Sequence, residues 1–295
     1  MKNLLQGKLR NSLLLLALMG SFGVVVFSSD APIVQVYEVN SHRSMDMEQL
    51  KARLPLSGII LIGEEHNVFT HRQIQLELIQ FLHKQGKLDG IVMEMIYPDQ
   101  QIHINRLYVN NTFASEDLQY LVRWHDDLWP WMQYRPIVEM AINQKIPLLY
   151  GNLTEQEKSM FRNAIHFEFI DEEQSVAIEN MIANAHKNLS FKSVTFAEHA
   201  RLHASVDQRM MNNALYNLRG NRVVLAGRDH IKNDTGIARL LSEKRQAHIS
   251  IGIFSAGNIN ASMAWQPFDY VVVPHSGYPS KWYMDIKQFL YRLWS

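Results

Sequence analysis

Ten residues, GEEHNVFTHR at 63–72, place Glu64, Glu65, His66, His71 and Arg72 directly behind the apolar run GIILI. Two further apolar runs end in the same way: GIVMEM (90–95) carries Glu94, and RVVLAG (222–227) is followed by Arg228, Asp229 and His230. Carboxylates and imidazoles are the side chains that bind divalent metals or move protons near neutral pH. A single acid or histidine behind a strand is ordinarily a helix cap, a solvated loop residue or a structural imidazole. Several strand ends delivering such groups together point to a site. If it is an enzyme, Glu64, His66, Glu94 and His230 would hold a metal or activate water, with Arg72 stabilising developing negative charge. The metal ligands in that scheme would be His66, Glu94 and His230.

Weaker candidates accompany these. His199 and His203 stand four apart on a helical stretch, so they share a face; they are either half of a metal or propionate site or part of a solvated surface. WHDDLWPWMQYRP (124–136) is dense in aromatics that either stack on a planar ligand or fill a core. HSGY (275–278) has a serine and a histidine but no surrounding nucleophile elbow.

The elements that must position these groups follow from hydrophobic patterning. GIILIG (58–63), GIVMEM (90–95), IPLLYG (146–151), RVVLAG (222–227) and HISIGIF (248–254) are short, apolar throughout and separated by helix-length segments. That pattern predicts buried parallel strands covered on both faces, hence an α/β fold with a mainly parallel sheet flanked by helices. A further strand is expected over 270–273. THRQIQLELIQFLHKQG reads as a helix ending at Gly86, and VTFAEHARLHASVDQRMMNNALYNL as a long amphipathic one. Residues 152–220 contain no strand-like run and are expected to form a helical insert or subdomain between the α/β segments 30–151 and 221–295.

Composition narrows the function. Lys plus Arg (29) equals Asp plus Glu (29), so there is no broad positive field for nucleic acid. The absence of cysteine excludes disulfides, thiolate zinc sites, iron–sulfur clusters and cysteine lipidation. Lys2, Lys8 and Arg10 precede an uncharged run from Leu13 to Phe27. Residues 1–29 therefore read as a signal peptide, cleaved after Ser28, or as an N-terminal membrane anchor, which would place the remainder outside the cytoplasm on the periplasmic side of a bacterial envelope. The aromatic tail KWYMDIKQFLYRLWS is expected to form a helix that packs on the domain or touches a membrane surface.

Four segments, in order, resemble the ChaN-like haem-binding uptake family of the Tiki superfamily. They are GEEHNVFTHRQIQLELI, VMEMIYPDQQ (92–101), WPWMQYRPIVEMAINQKIPLLYGNL (129–153) and VVLAGRDHIKNDTGI (223–237), together spanning roughly residues 55 to 255. The sequence departs from the family pattern at Asn67, Arg72 and Ala238. The resemblance implies a haem-binding protein of iron uptake at the cell envelope, dimeric, with tyrosine ligation and a histidine contact to propionate. Glu64, His66, His71, Glu94 and His230 would line the cofactor site, and Tyr97, Tyr108 and Tyr134 are the tyrosines in or near matching segments. Envelope iron-uptake components would be its partners. The wider superfamily includes metal-dependent proteases and erythromycin esterases, so a metal-dependent hydrolase is the alternative.

Overall fold

Three strands, β3 (Gly58–Glu64), β4 (Gly90–Met93) and β6 (Asn221–Gly227), are buried almost without exception on both faces. They lie side by side, β3–β6–β4, all parallel, because residues apolar at every position must be covered from above and below. They belong to a computed structural model that describes residues 34–55, 57–109, 113–162, 172–185, 195–218, 220–255 and 265–274. The other described strands are β1 (Val34–Glu38), β2 (Arg43–Met45), β5 (Leu148–Tyr150), β7 (His248–Ile253) and β8 (Tyr270–Pro274). Among the described residues the sheet order is β2–β1–β8–β7–β3–β6–β4–β5. The six runs expected to be strands are strands, and the fold is α/β. The hairpin β1–β2 adds an antiparallel edge against β8 that patterning did not predict. Its burial is only partial, so no continuous apolar run announces it.

Alternate residues of the central strands feed two cores. Ile60, Ile62, Ile91, Met93, Val223 and Leu225 pack under the helices Phe69–Lys84 and Trp131–Asn143. Ile59, Leu61, Val92, Val224 and Ala226 face the second half of the helix Phe196–Tyr216, through Val206, Met210, Met211 and Ala214. The described part of 152–220 is helical, Glu155–Arg162, Glu172–Ala185 and Phe196–Tyr216, with a small apolar cluster of Ile178, Ile182, Ala200 and Ala204. A capping box of Thr195 and Glu198 starts the long helix. It then runs from that cluster onto the sheet, which carries its middle, His203 to Asp207, past the carboxyl ends of the strands.

The expected helix ending at Gly86 spans Phe69–Lys84, and Gly86 adopts φ +63, the left-handed conformation that closes a helix. No described helix is long and apolar enough to cross a membrane. The residues expected to form an N-terminal signal or anchor, HSGY and the aromatic tail lie outside the described residues.

Candidate functional site

The adjacency of β3, β6 and β4 brings Glu64, Gly227 and Glu94 to one edge of the sheet, with Glu64 in register with Gly227. A chain crossing from β3 over to β4 and returning through β6 between them makes the kind of crevice at carboxyl strand ends where α/β proteins bind ligands. Gly227 matters for its missing side chain. Its amide donates to Glu94 Oε2 at 2.7 Å, and a Cβ on it would lie 2.9 Å from His66 Nε2. Gly63 is equally constrained, since a Cβ there would come within 2.8 Å of the Arg228 Cα. The glycines of GEEH and GRDH thus let two histidine-bearing turns close on each other.

Around Glu64 the partners converge on one carboxylate oxygen, Oε1, while Oε2 has no hydrogen-bond partner. The Tyr134 hydroxyl donates to Glu64 Oε1 at 2.6 Å, the His66 Nδ1 lies 3.0 Å from the same oxygen, and Arg72 Nη2 is 3.1 Å away. Arg72, which is buried, also donates to the Tyr134 hydroxyl at 2.7 Å and to the carbonyls of Glu65 and Val68 at 2.9 and 2.7 Å. The guanidinium therefore neutralises a buried carboxylate and ties down the loop after β3, whose Asn67 sits at φ +68, a conformation asparagine tolerates better than most residues. His71 accepts from the Glu65 amide through Nδ1 at 2.9 Å. Burial, reinforced by Arg228 and Arg72, pushes its pKa down to about 3, so it stays neutral and acts as a brace for the loop.

Glu94 and His230 make a second group. His230 Nε2 lies 3.5 Å from Glu94 Oε1, and His230 Nδ1 is 2.6 Å from Asp207 Oδ1 on the long helix. Burial opposes charging of His230, but Glu94 and Asp207 outweigh it and hold the imidazole well above its ordinary pKa. Burial likewise works against ionised Glu94, and His230, His66 and the Gly227 amide overcome it, so the carboxyl falls well below the usual range. For His66, burial is again the largest influence and again loses, to Glu64 and Glu94, so the imidazole is raised. Its side chain remains partly open to solvent, with the Trp129 ring edge-on at 4.9 Å.

The aromatic segment packs largely into the first core. Trp124, Trp131 and Tyr134 are buried in the first core, with Trp124 5.3 and 5.7 Å from the other two rings, whereas Trp129 faces His66. Of the three tyrosines, Tyr134 is fully buried and committed to Glu64, and Tyr108 donates to the Ile146 carbonyl at 2.6 Å, away from the strand-end groups. Burial raises the pKa of both, and of Tyr97. Tyr97 differs in its neighbours: Lys158 Nζ lies 4.7 Å above its ring and favours the phenolate, and His125 is edge-on at 4.9 Å.

His203 comes to the site and His199, a turn away, does not join the same group. Among the described residues, the set of acid and imidazole donors close enough for one metal ion is His203, Asp207 and His230, with donor atoms within 4.8 Å of one another. It shares His230 with the trio His66, Glu94 and His230. Asp207 had no sequence signal of its own beyond its place four residues after His203, a spacing that puts both on one helix face.

Comparison with curated protein sequences returns no significant match. Among solved structures, ChaN of Campylobacter jejuni, described as showing cofacial heme binding, aligns at TM-score 0.70 and 20% identity, covering 83% of this chain and 98% of that one. The type III effector HopBA1 aligns at TM-score 0.43 and 12% identity, over 74% of this chain and 87% of that chain. A mutant of the erythromycin esterase EreC in its open conformation gives 0.42 and 12%, over 81% and 82%. The likeness to the Campylobacter protein is one of fold. The sequence itself carries the assignment, since residues 50–241, more than half of the chain, match the profile described as Haem-binding uptake, Tiki superfamily, ChaN. With GEEH on β3, Glu94 after β4 and GRDH after β6 meeting at one sheet edge, the chain belongs to the ChaN haem-binding uptake family of the Tiki superfamily.

Proposed function

We propose that this protein binds haem at the carboxyl edge of the sheet and hands it on during iron uptake at the cell envelope. The observation that carries the proposal is His66, a partly exposed imidazole beside Trp129 in a chain of the haem-binding family. Partly exposed and able to donate hydrogen bonds, His66 is placed to meet a propionate of the porphyrin. Exposed Leu128 and Met132 flank Trp129 in sequence and provide apolar surface of the kind a porphyrin face needs. Bound haem would supply an iron centre for an anionic oxygen ligand. Tyr97 is the tyrosine we assign to that role, since Tyr108 and Tyr134 are committed elsewhere.

Haem titration of the full-length chain, followed by absorption spectroscopy, tests this. Saturable binding with a tyrosinate spectrum is expected, with that spectrum lost in Tyr97→Phe and retained in Tyr108→Phe, and with weaker binding in His66→Ala. Nonsaturating uptake by the wild type would sink the proposal. A second reading, hydrolysis, draws on the convergence of Glu64, Glu94, His66 and His230 in a compact polar group suited to acid–base work. Turnover of ester or peptide substrates that disappears in both Glu94→Gln and His230→Ala would favour it over transport. The uptake role, the dimer and the envelope partners belong to the first reading and are tested by iron-limited growth of a deletion strain and by sedimentation of the haem-loaded protein.

A further inference from the structure

We infer that His203, Asp207 and His230 form a binding site for a divalent transition-metal ion of the zinc class, separate from the haem contacts assigned to His66 and Tyr97. Three observations converge on it. The donor atoms lie within 4.8 Å of one another. Asp207 is 1% exposed, and its Oδ2 has no hydrogen-bond partner; neither ring nitrogen of His203 has one either. His203 Nδ1 comes to 3.2 Å from that orphaned Oδ2 without the alignment of a hydrogen bond. Buried polar atoms ordinarily find partners, so a cluster of orphaned donor-type atoms facing one another marks a place for something that binds them.

Charge gives the sign of that ligand. The ion pairs of Glu94 and Asp207 are made with histidines alone among the described residues, whereas the neighbouring Asp229 is paired with Lys232 at 2.6 Å. The charged partners of these two carboxylates are imidazoles, so a divalent ion there meets carboxylate charge with no lysine or arginine paired to it. The imidazoles of His203 and His230 are stacked at 3.8 Å and 9°, which holds the two rings side by side next to Asp207.

Donor chemistry selects the ion. Two imidazoles and one carboxylate suit zinc, cobalt or iron(II), whereas magnesium and calcium prefer oxygen throughout. Donors around zinc at about 2.0–2.1 Å stand roughly 3.3 Å apart, so the group must contract. His203 supplies the movement by side-chain rotation, since neither of its ring nitrogens is held by a hydrogen bond. His203 and Asp207, at i and i+4, then act as a clamp from the helix, and His230 closes it from the turn after β6. Three protein ligands leave a coordination position for water or another ligand.

The test is zinc titration of the chelator-treated, haem-free full-length chain by calorimetry, with cobalt absorption spectra as a second readout. One equivalent of zinc is expected, with a rise in Tm on loading. His203→Ala and Asp207→Asn should each weaken zinc by about tenfold or more and abolish the cobalt bands. His199→Ala, one turn away, should match the wild type. His203→Gln, which conserves side-chain bulk, replaces His203→Ala should the latter melt below the working temperature. Absence of stoichiometric zinc in the wild type, or wild-type affinity in folded His203 and Asp207 variants, would overturn the inference. Because haem is absent throughout, the result is independent of the haem titration.

Discussion

Two polar clusters sit within a few residues of each other at the same sheet edge and solve burial in opposite ways. Around Glu64 a carboxylate is matched by a resident cation, Arg72, and braced by Tyr134. Around Asp207 and Glu94 two carboxylates make their ion pairs with histidines only, among the described residues. Two buried histidines record the difference. His71, near Arg72 and Arg228, is held neutral, whereas His230, near Glu94 and Asp207, is held charged or is available to a metal. The lesson is that burial alone does not decide the state of an imidazole; the sign of its charged neighbours does.

Removing the built-in cation is the strongest way to break this contrast. Arg72→Met leaves Glu64 with His66 as its one remaining basic partner among the described residues and frees two loop carbonyls, and we expect a loss of about 3–5 kcal/mol in urea unfolding. Tyr134→Phe removes a hydroxyl that serves both charged partners and should cost about 2–3 kcal/mol in the same assay.

Acid separates the two histidines. The folded pKa of His71 lies below its unfolded value, so its share of stability is present above about pH 6.5 and declines as pH falls towards 3. Between pH 7 and 5 the loss should be about 2 kcal/mol, and His71→Gln should flatten that part of the stability–pH curve. His230 has the opposite sign: its share is complete below its unfolded pKa and is lost as pH rises through the elevated folded value. Smallest of all should be Asp207→Asn without metal. The amide oxygen can still accept from His230 while one negative charge is removed, so a change under about 1 kcal/mol is expected in urea unfolding. A loss as large as that of Arg72→Met would erase the distinction between the clusters.

Much of the fold was legible because its strands are extreme. Runs such as GIILI and RVVLA are apolar at every position, which only two-sided burial requires, and they announced parallel strands. The β1–β2 edge was hidden because half-exposed short strands have no such signature. Glu64, His66, Glu94 and His230 were legible as strand-end groups. Asp207 was not, since an acid in mid-helix reads as a solvated residue until the helix is seen to cross the sheet edge. The partners of Arg72, two backbone carbonyls and Tyr134, were not legible either, because they are set by how the loop after β3 folds back on the helix Trp131–Asn143.

By itself, then, the sequence determined the α/β class, the strand-end location of the charged groups and the family, because hydrophobic period and short ordered motifs are local properties of the chain. Tertiary structure alone decided which groups meet. Tyr134 reaches Glu64 across 70 residues and Asp207 reaches His230 across 23. Those pairings depend on β6 entering between β3 and β4 and on where a long helix lands. They also set the charge states, since a pKa responds to neighbours in space rather than in sequence.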